Sequence, residues 1–159
     1  MTASVEHLQN ELERRHRSAK FVVLGFLGLS LALLAVAFFA ARFIVRPGDP
    51  SVVMGLWIAI LVFGLGAFVL RRTKFAALRL QDIAAVQGPS ALLKTLQDTT
   101  IQVASIGGAI ALMGFIITIL RGNWSDMLRA TGVAAIVLIY CYPIRSAWQR
   151  ALTEFSRER

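Results

Sequence analysis

Residues Ile101 to Leu120 read IQVASIGGAIALMGFIITIL and hold no charged side chain from one end to the other. At about 1.5 Å per residue, a helix of that length spans about 30 Å, the thickness of a bilayer's hydrocarbon core. The stretch therefore reads as a transmembrane helix, and the rest of the chain arranges itself around it.

Upstream, Phe21 to Ala41 is a charge-free run of similar length, and the apolar pattern resumes after Arg42 through Phe43, Ile44 and Val45. Ala35-Val36-Ala37 has the small-x-small spacing of a signal-peptide cleavage site, but the long apolar continuation and the polar lead-in before Phe21 favour an uncleaved span. Val52 to Leu70 supplies another charge-free span, closed by Arg71 and Arg72. The weakest is Ala130 to Ile144, the shortest of the charge-free runs. At about 22 Å of helix it requires Arg129 and Arg145 to snorkel, or a start near Met127. Tyr140, Tyr142 and Trp148 suit an interfacial belt at its far end, where Pro143 should kink or end the helix.

Composition agrees. With 57% hydrophobic residues and a mean hydropathy of +0.66, the 159-residue chain has more apolar surface than a globule of its size can bury. The net charge of +8 fits cytoplasmic loops and contact with anionic headgroups, and nucleic acid is not expected as a partner. The single cysteine, Cys141, excludes an intrachain disulfide and a CxxC redox pair. It offers a palmitoylation site at the interface or simple packing.

Between the spans, the sequence predicts a short amphipathic lead-in over 1–20, with Val5, Leu8 and Leu12 on one stripe, that either caps the membrane face or docks a partner. Pro47-Gly48-Asp49-Pro50 forms a tight turn, so that 21–73 makes a first transmembrane hairpin. Residues 74–98 form a helical connector, with one helix from Lys74 to Val86 and another N-capped by Ser90 that continues into the third span. A second hairpin occupies 99–148, and 149–159 is a tail. The expected fold class is thus an all-α integral membrane protein with four transmembrane helices as two hairpins.

Lysine and arginine counts orient it. The lead-in, connector and tail, taken with Arg71, Arg72 and Arg145 at the span ends beside them, hold thirteen, and the two opposite turns hold four, namely Arg42, Arg46, Arg121 and Arg129. Both termini and the connector therefore belong in the cytoplasm. A basic, Ala- and Leu-rich chain without disulfides suits a bacterial inner membrane, and Asn123-Trp124-Ser125 matches the glycosylation acceptor pattern only by spacing.

Gly28, Ala32, Ala35 and Arg42 recur at the same relative spacing as Gly107, Ala111, Gly114 and Arg121. Two readings stand: a parallel tandem repeat, or the small residues and terminal arginines that any two membrane hairpins share. Either way Gly28, Ala32 and Ala35, and Gly107, Ala111 and Gly114, form smooth helix-packing seams along which a neighbouring backbone can approach closely. Gln102 and Ser105, three apart, are candidates for an interhelical polar contact.

The chemistry is mostly exclusion. Both histidines, His7 and His16, precede the first span, so no haem is bridged inside the bundle and no cofactor or metal site is expected. All nine acidic residues lie outside the charge-free cores, which argues against proton- or cation-coupled transport. Three function classes remain. The first is a noncatalytic accessory, scaffold or assembly subunit of a larger membrane complex, and it is preferred because it needs no reactive residue. The second is a homo-oligomeric channel or small-solute permeation protein. The third, an enzyme at the lipid interface, would rest on Asp82 and Asp98, which lack a paired motif. Expected partners are membrane lipids, and a membrane protein or a second copy of the chain. The residues expected to meet anionic headgroups or an acidic partner are Arg14, Arg15, Arg17, Arg71, Arg72, Lys74 and Arg79.

Overall fold

The computed structural model describes residues 2–40, 43, 48–74, 89–146 and 148–149. These form four α-helices: α1 (Thr2–Ala40), α2 (Pro50–Lys74), α3 (Pro89–Arg121) and α4 (Trp124–Tyr140). There is no strand among the described residues. α1, α2 and α3 are long and apolar enough to cross a membrane. The fourth expected span is not among them: α4 has 17 residues, about 26 Å of helix. Of the connector helix expected over Lys74 to Val86 only Lys74 is described, as the last residue of α2; residues 75–88, with Arg79, and 150–159 lie outside the described residues.

The helix ends follow from local chemistry. Pro50 opens α2, where its fixed φ and missing N–H cost nothing. Ahead of it, Asp49 Oδ1 accepts from the Ser51 amide at 2.9 Å and the Ser51 hydroxyl at 2.6 Å. Those two donors hold the Asp49 carboxyl below its usual range, the hydroxyl contributing most. Asn123 does the same for α4, its Oδ1 accepting from the Ser125 amide at 3.1 Å and hydroxyl at 2.9 Å. The glycosylation-like triplet is thus a helix cap. α3 stops at Gly122, whose φ of 67° needs a residue without a β-carbon and lets its amide donate to Thr118 O at 2.8 Å. α4 ends at Tyr140, ahead of Pro143, as its sequence predicts.

Two expectations change. Ser90 is not the N-cap of α3, because Pro89 already occupies a helical position and the Ser90 hydroxyl donates instead to Glu11 of α1 at 2.8 Å. Nor is the lead-in a separate helix: α1 runs for 39 residues, about 58 Å, through the change from polar to apolar at Phe21.

α3 is the central element. Half of its most apolar window is buried, against 17% and 22% for α1 and α2. It packs on all three other helices, whereas α1 and α2, consecutive in sequence, scarcely touch. The first hairpin is therefore open, its two arms lying against α3 and not against each other. The reason lies in which face of α1 is turned inward. Ala19, Val23, Ser30 and Ala37, spaced at helical intervals, are buried, while Gly28, Ala32 and Ala35 face outward. Just before α2 the chain is tied to α3 as well, since the Gly48 amide donates to Leu120 O at 3.1 Å.

Candidate functional site

The described residues build two hydrophobic cores. The larger lies within the apolar bundle and includes Ile60, Val103, Ile110, Ile117, Ala130 and Leu138. Within it, α3 and α4 pack tightly at two glycines. A β-carbon on Gly107 would sit 2.9 Å from Leu138 Cγ, and one on Gly114 would overlap the Ala130 methyl. Gly108, which the spacing argument passed over, leaves room for the Phe26 ring of α1. The Gly107, Ala111 and Gly114 seam is thus buried, whereas Gly28, Ala32 and Ala35 are exposed, with open space around Gly28. Gln102 and Ser105 are also exposed, on the outer face of α3, and bond to no other helix among the described residues.

The second core is polar-edged and lies beyond the apolar segments. Leu12 and Ala19 of α1, Leu92, Leu93 and Leu96 of α3, and Trp148 after α4 bury one another. Both α1 and α3 are longer than a bilayer is thick, and their amino-terminal ends project on the same side, so they have length left over to build this clasp. Polar contacts surround it. Arg15 pairs with Glu11 at 2.8 Å and donates to Gln97 at 3.1 Å. His16 Nε2 donates to Pro143 O at 3.0 Å, and its ring stands edge-on to Trp148 with centroids 5.7 Å apart. Arg145 pairs with Glu13 at 2.5 Å. The Ser90 hydroxyl, helped by Arg15, holds the Glu11 carboxyl below its ordinary value of 4.5.

This geometry sorts the basic residues expected at lipid or partner surfaces. Arg15 is half-buried and bonded within the chain, so its role is internal. Arg14 and Arg17 are exposed on α1, and Arg72 is exposed at the end of α2. Lys74 is half-buried. Arg71 lies over the Tyr140 ring at 4.4 Å, and that ring in turn packs on Phe68 with centroids 4.4 Å apart, which joins α2 to α4.

At the opposite end sits a carboxylate that the sequence reading did not single out. Asp126, in the first turn of α4, is fully buried, 3.3 Å from Arg121 Nη1 and 3.9 Å from Arg129 Nη1. The helix dipole at that end also favours its charge. Its position just beyond the apolar run hid it: a count of charges inside spans omits an acid one turn outside. Among the described residues no group of three or more His, Cys, Asp or Glu side chains is placed to hold a metal.

The fold and the clasp define an all-α protein with three helices able to cross a membrane and a polar-edged clasp built from the ends of two of them and the segment after α4. Compared with protein families, with curated proteins and with solved structures, the chain matches none of them.

Proposed function

We propose that the protein is a noncatalytic accessory or scaffold subunit of a larger membrane complex. In this reading all four helices sit in a bacterial inner membrane, with the clasp and both termini in the cytoplasm. The observation that carries it is the openness of the bundle. α1 and α2 are mostly outward-facing, they do not close on each other, and Gln102 and Ser105 of α3 are left on an exposed face in the apolar region. A partner helix with a polar group would satisfy them, which lipid tails cannot do. α4 is short for a lone span, but it lies along α3 by the Gly107 and Gly114 contacts, so α3 supports it at the same depth.

The test is native mass spectrometry of the tagged chain, extracted from its own membrane in mild detergent. Recovery in a fixed stoichiometry with other polypeptides, lost on Gln102→Leu with Ser105→Ala, supports the subunit role. Recovery only as copies of itself moves the weight to the permeation class and calls for solute flux in liposomes. Reporter fusions at either terminus check orientation, because the thirteen-to-four division of basic residues requires both to report cytoplasm.

A further inference from the structure

Beside the clasp, a groove of about 450 Å³ is lined by Glu13, His16, Arg17, Lys20, Phe21 and Leu24 of α1 and by Arg145 after α4. We propose that it binds the phosphate of an anionic phospholipid, with one acyl chain lying along Phe21 and Leu24.

The six α1 residues fall on a single helical stripe, each three or four positions from the next or adjacent to it, so the stripe passes continuously from charged to apolar. Arg17 and Lys20 are exposed and have no acidic partner among the described residues. That distinguishes them from Arg15 and Arg145, which are paired. Arg145 is held at the groove by Glu13 and keeps more than half its side chain exposed, with donors left over for an anion. Three cations against one carboxylate leave the groove with an excess of two positive charges, His16 not counted.

Depth decides which phosphate. Arg17 lies one turn, about 6 Å, before Phe21, where the apolar run begins, and each headgroup layer of a bilayer is about 5–7 Å thick. The basic groups therefore sit in the layer that holds lipid phosphates. Phe21 at 67% and Leu24 at 43% exposure continue the groove into the hydrocarbon. A soluble phosphate would leave that apolar floor uncovered. The inference needs only that α1 crosses a bilayer and is independent of the subunit role, so lipid binding and partner recovery can fail separately.

The full chain is delipidated in detergent and offered phosphatidylglycerol, phosphatidylcholine or inorganic phosphate, with bound species counted by native mass spectrometry. Phosphatidylglycerol should be retained over phosphatidylcholine. Arg17→Gln and Lys20→Gln should each lower retention about fivefold, the effect of roughly 1 kcal/mol per basic residue at an anionic surface. Phe21→Gln should lower it with no change in charge. The control, Lys94→Gln, removes an exposed cation outside the groove and should change nothing. Equal loss in that control means a diffuse surface charge and overturns the site. So does equal retention of the two lipids, or displacement of phosphatidylglycerol by inorganic phosphate, which marks a free-anion site. All substituted positions are exposed, and unchanged helical circular dichroism confirms that each variant is folded.

Discussion

Gly114 of α3 and Ala130 of α4 approach so closely that a single methyl group on Gly114 would occupy the space of the Ala130 side chain. The glycine lets α4 lie close against α3, which it meets at Met127, Ala130 and Leu138. Close backbone approach is the main attraction between helices in lipid, where tails compete equally for apolar surface.

Gly114→Ala should therefore destabilise the bundle by about 1–3 kcal/mol, the usual cost of overpacking, while Gly28→Ala, with open space around it, should be neutral or slightly stabilising. Thermal unfolding of the two variants in the same detergent checks the contrast. Equal effects would mean that α3 and α4 do not pack as described.

Trp148 holds the clasp. It is 3% exposed against Leu12, Leu92, Leu93 and Leu96, and its removal should cost about 3–5 kcal/mol locally. In Trp148→Ala, amide exchange should rise over residues 8–19 and 90–97 and stay unchanged over 103–117. Uniform loss of protection would show that clasp and bundle unfold as one unit.

Acid should loosen the same clasp. The Glu11 carboxyl is held below 4.5 by the Ser90 hydroxyl, so its contribution is complete above pH 4.5 and fades as pH falls through the lowered folded-state value. Carbon-13 NMR titration should find the Glu11 midpoint below 4.5 in the wild type and higher in Ser90→Ala. Coincident midpoints in the two proteins would remove Ser90 as the cause.

Asp126→Asn should destabilise the α3–α4 turn by about 1–2 kcal/mol. That is less than the loss from a wholly buried pair, because Arg121 is 52% exposed and water can solvate it once its partner is gone. Thermal unfolding of Asp126→Asn, Arg121→Gln and the double variant forms a cycle that reads the coupling directly. Additive losses would mean that the two side chains do not interact.

Much of this architecture was legible in the sequence, because charge-free length is a strong signal. The cores of α1, α2 and α3 follow from it, while the turn at Asp49 and the stop before Pro143 follow from the prolines beside them. Helix partners were not legible. Nothing in the Gly28 and Gly107 spacings distinguishes an outward seam from an inward one, since both faces of a lipid-embedded helix are apolar. Lipid-exposed and buried positions therefore share one vocabulary, and periodicity loses the contrast it has in water. The clasp was hidden for a different reason. Leu12, Leu92 and Trp148 lie in three separate, largely polar segments, and only the folded chain brings them together.

The unbroken course of α1 makes it a lever. From Phe21 to Glu6 is about 22 Å of stiff helix, so a tilt of about 10° in the bilayer would carry the amino-terminal end sideways by about 4 Å. Glu11, Glu13, Arg15 and His16 fasten that arm to α3 and to the segment after α4. A thinner or thicker membrane that tilted α1 would then load those contacts before any within the apolar bundle.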